Sequence, residues 1–245
     1  MKVIAVIPAR YGSTRFPGKS LQKILGKPMI QHVYEKAKKV EQLDEVIVAT
    51  DNVKIYDTVI SFGGNAVMTK VEHESGSDRI AEVAGKIDGD IFLNIQGDEP
   101  LIHPNLIAEI VRTSKENLDS VVTAKIKIND AEEINSPNCV KVITDNKNNA
   151  IYFSRSVIPY NRENIHVDYY KHLGIYCYPR HLLIEYIKLP KSLLENTEML
   201  EQLRLLENGY KMKVVESFYD SIGVDTPEDI QKVEKLLEAE KWVRQ

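Results

Sequence analysis

At 245 residues, 43% hydrophobic and 28% charged, the chain has the make-up of a globular protein large enough to bury one sizeable α/β core. A net charge of −4 argues against broad nucleic-acid binding, which needs a basic face, and no apolar stretch is long enough for a membrane helix. Cys139 and Cys177 form no C-x-x-C pattern and read as reduced thiols of a cytoplasmic protein.

Val3–Ile7 reads as a buried first strand, closed by Pro8 and unlike a targeting segment. The loop Ala9–Ser20 follows it, rich in Gly, Ser and cations. No Asp or Glu occurs before Glu35, although the whole chain is acidic. Lys2, Arg10, Arg15, Lys19, Lys23 and Lys27 all lie in that acid-free stretch. A flexible cationic loop after the first strand of an α/β protein is a device for holding phosphates. A Walker A loop is the commonest form, but here Gly12 stands one residue too far from Gly18-Lys19-Ser20. Pro17 also removes a donor N–H, and Gly26 and Pro28 interrupt the helix such a loop requires. The loop therefore reads as an open one, in which Arg10, Arg15 and Lys19 approach a triphosphate from several sides.

A helix is expected at Met29–Lys39, a strand at Glu45–Ala49, a helix at Val53–Phe62 and a short strand at Ala66–Met68. Asp78–Lys86 is the next helix. Arg79 stands in its first turn, where the helix dipole disfavours a cation, and that conflict hints at function. A surface pair with Asp78 or Glu82 is the plainer account of it. The strand Ile91–Ile95 runs into Gln96-Gly97-Asp98-Glu99-Pro100, and the helix Pro104–Lys115 follows. Ligands of open α/β sheets sit beyond the carboxyl ends of strands, which makes Asp98 a candidate magnesium ligand. Glu99 points the other way in an extended segment and reads as structural.

The second half changes character. Ser120–Ile128, Cys139–Thr144, Ala150–Phe153 and Tyr170–Tyr178 read as strands, the middle two as a hairpin across Asp145–Asn149. Helices are expected at Arg180–Lys188 and Leu193–Glu207, then a strand at Met212–Phe218. Asp225 precedes the last helix, Pro227–Lys241, which Thr226 caps with Asp229 as the capping-box acid. As a turn residue Asp225 has a plain structural reading; as a carboxylate it is the second candidate metal ligand. The pattern implies an α/β fold in a single domain, a mostly parallel mixed sheet with helices on both faces, and a β-rich excursion near residues 120–180.

Taken in order, these motifs resemble the CMP-sugar nucleotidyltransferases. Arg10-Tyr11-x-Ser13-Thr14-Arg15-x-Pro17-Gly18-Lys19-x-Leu21 and Gly26-Lys27-Pro28-Met29-Ile30 carry the likeness first. Val48-Ala49-Thr50-Asp51, Ser75-Gly76-Ser77-Asp78-Arg79, Gln96–Pro100 and Phe153-Ser154-Arg155 continue it. His172-Leu173-Gly174-Ile175-Tyr176, Glu198-Met199-Leu200-Glu201-Gln202-Leu203 and Gly223-Val224-Asp225-Thr226-Pro227 complete it. The stretch Asn161–Tyr169 departs from the family by being short.

The resemblance implies attack by the anomeric hydroxyl of the sugar acid Kdo on the α-phosphate of CTP, with loss of pyrophosphate, as a step in lipopolysaccharide biosynthesis. It implies Mg²⁺ held by Asp98 and Asp225, with Lys19 stabilising phosphate charge. It implies nucleotide contacts from Arg10, Ser13, Arg15, Lys19, Ser77, Arg79 and Gln96, and sugar contacts from Arg15, Gln96, Arg155, His172, Tyr176, Glu201 and Gln202. It also implies a homodimer through the β-rich region, where Tyr169, Tyr170, Tyr176 and Tyr178 build core and subunit contact. By themselves His172 reads as a structural histidine, and Glu201 and Gln202 as a solvated helix face. The same chemistry on 8-amino-Kdo or a sialic acid is the near alternative. A non-catalytic nucleotide sensor and a P-loop NTPase are the distant ones.

Overall fold

The computed structural model describes residues 1–12, 16–73 and 75–243, with side chains through 239. It divides into two compact units, Met1–Ala108 with Asp220–Gln245, and Glu109–Tyr219.

The first unit opens with strand β1 (Val3–Ala9), then a 3-10 turn at Lys19–Leu21 and a two-residue hairpin, β2 (Lys23–Ile24) and β3 (Lys27–Pro28). Helix α1 (Met29–Ala37), β4 (Glu45–Thr50), α2 (Val53–Ser61), β5 (Asn65–Met68), α3 (Gly76–Lys86) and β6 (Ile91–Asn94) follow. The unit boundary falls within α4 (Pro104–Glu116). Its strands run β6-β1-β4-β5, all parallel, with Val6 opposite both Ile47 and Asn94. Strand β1 is central, so Val3 to Ile7 are fully buried, which is why the run reads as continuously apolar rather than alternating. Pro8 is tolerated in this central strand because pairing with β6 has already ended at Val6.

The second unit contains β7 (Ser120–Lys127), α5 (Ala131–Asn135), β8 (Lys141–Thr144), β9 (Ala150–Ser154) and β10 (Tyr170–Pro179). It continues with α6 (Arg180–Tyr186), α7 (Leu193–Glu198), α8 (Leu203–Glu207) and β11 (Lys211–Ser217). Strand β7 pairs in parallel with β11 and antiparallel with β10. The expected hairpin is β8–β9, and its turn is built on Asp145, whose carboxylate accepts from Lys147 N–H, Asn149 N–H and Asn149 Nδ2.

The chain then returns to the first unit with α9 (Pro227–Val243). Asp229 accepts from the N–H groups of Asp225 and Thr226 and from the Thr226 hydroxyl, the expected cap. Val224, Val233 and Leu237 pack with Ile24, Met29 and Leu101 in one buried cluster. Glu234 adds a 2.9 Å bond from Leu25 N–H. Helix α9 is thereby fastened to the segment after the cationic loop.

One expected element is corrected. Leu193–Glu207 is not one helix: it breaks at Met199, a left-handed residue with φ 54°, between α7 and α8. The break is held from outside the helix, because the Arg155 guanidinium binds the carbonyls of Glu198 and Met199. Among the described residues, no helix is long and apolar enough to cross a membrane.

Candidate active site

Three distant points of the first unit meet at one side chain. Gly18 has φ 66°, and its N–H bonds to Tyr11 carbonyl at 3.0 Å, which closes the cationic loop on itself. A Cβ there would press on the Tyr11 ring at 3.2 Å. Lys19 follows as the first residue of the 3-10 turn, with only 15% of its side chain exposed. Asp98 stands four residues past β6, and its approach depends on Gly97, where a Cβ would lie 2.9 Å from Pro8 carbonyl oxygen. Asp225 arrives from the far end of the chain. The N–H of Val224 donates to Asp98 carbonyl at 2.9 Å and fixes the two acids side by side.

Lys19 Nζ lies 2.7 Å from Asp98 Oδ2 and 3.2 Å from Asp225 Oδ1. Two carboxylates converging on one cation form the hard-oxygen donor set that Mg²⁺ takes, with phosphates and waters completing its octahedron. The ammonium group marks the point where a cation is stabilised. Among the described residues no group of three or more His, Cys, Asp or Glu gathers to hold a metal alone. The Asp98–Asp225 pair could hold a metal whose other ligands are phosphates and waters.

Around this point, Arg10 is exposed just after β1, and Gln96 is half-buried beyond β6. Ser13 and Arg15 lie outside the described residues. Ser77 and Arg79 are buried on α3, whose first turn is closed by a Ser75–Asp78 capping box. Arg79 does not pair with Asp78 or Glu82. Its guanidinium reaches Asp51 at 2.9 Å, the Thr69 hydroxyl and the carbonyl of Lys70. That pair answers the dipole conflict in the first turn, and Asp51 is the partner the sequence alone did not single out.

Of the sugar-side candidates, Gln96 lies in the first unit, and Arg155, His172, Tyr176, Glu201 and Gln202 lie in the second. His172 Nε2 is 2.9 Å from Thr123 Oγ1. The Thr123 hydroxyl makes its shorter backbone donation, 2.8 Å, to Ile175 carbonyl, which leaves His172 Nε2–H as the donor and Nδ1 as an acceptor. Burial pushes His172 down to about 3, so the ring is neutral. Its ¹⁵N resonances are expected to stay flat between about pH 5 and 8, and a step near the usual histidine value would contradict that burial.

An aromatic ladder carries the ring onward: Phe153 to His172 at 4.8 Å, His172 to Tyr176 at 5.4 Å, Tyr176 to Tyr178 at 6.0 Å and Tyr178 to Tyr186 at 6.2 Å. Tyr186 hydroxyl in turn donates to the carbonyl of Glu201. Gln202 is 5% exposed, and among the described residues its Nε2 has no hydrogen-bond partner. An unmet buried donor of this kind is expected to have a ligand or water acceptor.

Arg155 is spent on the protein itself. It donates to the carbonyls of Glu198, Pro137 and Met199, at 2.7, 2.9 and 3.5 Å. Glu198, not among the expected site residues, accepts from Ser154 hydroxyl at 2.6 Å and from Arg155 N–H at 2.9 Å. The fully buried Lys141 caps the carbonyls of Ser136, Cys139 and Arg155. Glu198 belongs to a quoted motif and Lys141 to none, and only their contacts in the fold reveal what they do. Cys139 and Cys177 are buried and not joined in a disulfide, and burial pushes Cys177 up to about 12.

Residues 4–218 match the family model described as cytidylyltransferase. A relative from Fusobacterium nucleatum, named 3-deoxy-manno-octulosonate cytidylyltransferase, is 53% identical over 95% of this chain and 96% of its own. A relative of the same name from Geotalea uraniireducens is 49% identical over 97% of this chain and 99% of its own. Among solved structures, CMP:2-keto-3-deoxy-manno-octonic acid synthetase complexed with CTP superposes with a TM-score of 0.94. It is 45% identical and covers 98% of this chain and 100% of that one. With motifs, fold and near-full-length identity in agreement, the chain belongs to the cytidylyltransferase family.

Proposed function

We propose that this protein transfers CMP from CTP to the anomeric hydroxyl of Kdo and releases pyrophosphate. The observation that carries the reading is the meeting of Lys19, Asp98 and Asp225 at one point, in a chain so close to a synthetase solved with CTP. Such a transfer needs alignment and charge stabilisation more than covalent help. Mg²⁺, when bound, would supply Lewis-acid chemistry at the phosphate and the attacking hydroxyl.

The chain's own residues do the rest. Asp98 and Asp225 would hold the metal, and their backbones are fixed by the Val224 and Asp229 bonds. Lys19 meets negative charge growing on the leaving phosphates. Arg10 and Arg15, from the same loop, hold the outer phosphates, and Ser13 supplies a further hydrogen bond to them. Ser77 and Gln96 contact the nucleotide, and Arg79 holds the α3 end of that pocket through Asp51.

On the sugar side, Gln202 Nε2 is a donor suited to a hydroxyl group, with Glu201 next to it in the chain and with His172 and Tyr176 in ring contact with each other. Arg155 shapes this face through its carbonyl bonds. A homodimer through the β-rich region is part of this reading, carried by the family resemblance. The product feeds lipopolysaccharide assembly from the cytoplasm.

A grid of kcat/KM values tests the reading: CTP, UTP, ATP and GTP against Kdo, 8-amino-Kdo and a sialic acid, following pyrophosphate. CTP with Kdo is expected to lead. A preference for either rival sugar overturns the Kdo assignment, and ATP or GTP hydrolysis without sugar overturns the class.

A further inference from the structure

We propose that Lys19 is the resident cation of the Asp98–Asp225 pair in the nucleotide-free protein, and that a divalent metal enters only when a triphosphate draws Lys19 away. The inference rests on the reading above of those two acids as metal ligands.

Two carboxylates held side by side repel unless a cation lies between them. Here the cation is built in, at 2.7 and 3.2 Å, and the lysine side chain is largely buried against the pair. Mg²⁺ binds oxygen at roughly 2.0–2.1 Å and would take the same volume as the ammonium group, so the two compete for one place. The competitors differ in mobility. Asp98 and Asp225 are anchored through their backbones, by Val224 N–H to Asp98 carbonyl and by Asp225 N–H to Asp229. Lys19 is carried on a flexible four-carbon stem from a short 3-10 turn. A triphosphate offers that ammonium a richer set of anionic oxygens. When Lys19 turns to the phosphates, it uncovers the carboxylates and creates the metal's two protein ligands. Metal loading is thus tied to nucleotide loading, because one side chain serves both.

The test is Mn²⁺ binding to the nucleotide-free protein, followed by calorimetry and by the EPR signal of free Mn²⁺. Lys19→Met and Lys19→Gln are expected to bind one Mn²⁺ at least about tenfold more tightly than wild type, since the cation that competes for the site is removed. Lys19→Arg keeps the charge and should stay near wild type. Adding Asp225→Asn to Lys19→Met should abolish the gain. Circular dichroism confirms the fold of each variant, and Gln and Met replacements give two independent chances of a folded protein. Equal or weaker Mn²⁺ binding by both neutral variants overturns the proposal. If wild type still transfers CMP to Kdo in that case, only the Lys19 inference fails. If wild type transfers nothing, the reading of the site fails with it.

Discussion

Asp225→Asn is expected to lower turnover by about 10²- to 10³-fold, the scale of losing one pre-placed group that meets transition-state charge. CTP binding should survive, because the nucleotide is held mainly by the cationic loop. The asparagine keeps the backbone bond to Asp229 and the shape of the side chain. What goes is one negative oxygen, at a point where Asp98 alone must then hold the cation. The signature is a fall in kcat with little change in CTP affinity, read by steady-state kinetics beside calorimetric CTP titration. Near-normal turnover would remove Asp225 from the mechanism. A lost CTP affinity with unchanged kcat would make it a nucleotide contact instead.

The second large effect is on stability and lies in the second unit. Glu195 and Arg204 are 5% and 8% exposed and form a two-pronged pair, Nε to Oε2 at 2.7 Å and Nη2 to Oε1 at 2.5 Å. The guanidinium also stacks over Tyr186 at 4.9 Å. Arg204→Met strands a buried carboxylate and is expected to cost about 3–5 kcal/mol in urea unfolding. Burial works to raise Glu195, but Arg204 and the Ser192 N–H outweigh it and hold the carboxyl below its usual range. A carboxyl depressed in the folded state contributes stability that is full above its ordinary value of 4.5. That contribution is lost as pH falls through the lower folded value. The gap between wild type and Arg204→Met should therefore narrow as pH drops below 4.5. A gap that stays constant in acid would mean the pair contributes through packing alone.

How much of this was legible in the sequence depends on the range of the interaction concerned. The strand Val3–Ile7, the hairpin across Asp145–Asn149 and the cap at Thr226 and Asp229 are written in local patterns, and each stands where the pattern puts it. Arg79 was legible as a conflict with its helix dipole, while its resolution through Asp51 needed the fold. The break at Met199 left no local trace. No Gly or Asn marks it, and the apolar spacing runs through it, because Arg155 imposes it from 44 residues away. Lys19, Asp98 and Asp225 are 79 and 206 residues apart, so no periodicity could join them. Only the resemblance placed the two acids in one job, and the geometry adds that a lysine already stands between them. The roles of Glu198 and Lys141 were not legible, since their partners are mostly backbone carbonyls and N–H groups that any residue can offer.

The reaction is defined by which bond of the nucleotide breaks and by what the α-phosphate joins. Incubating the purified protein with CTP, Mg²⁺ and Kdo and following ³¹P NMR answers both at once. The account predicts CMP–Kdo ester and pyrophosphate appearing in equal amounts, with none formed when Kdo is left out. CDP and orthophosphate, or CMP formed at the same rate without the sugar, would contradict it.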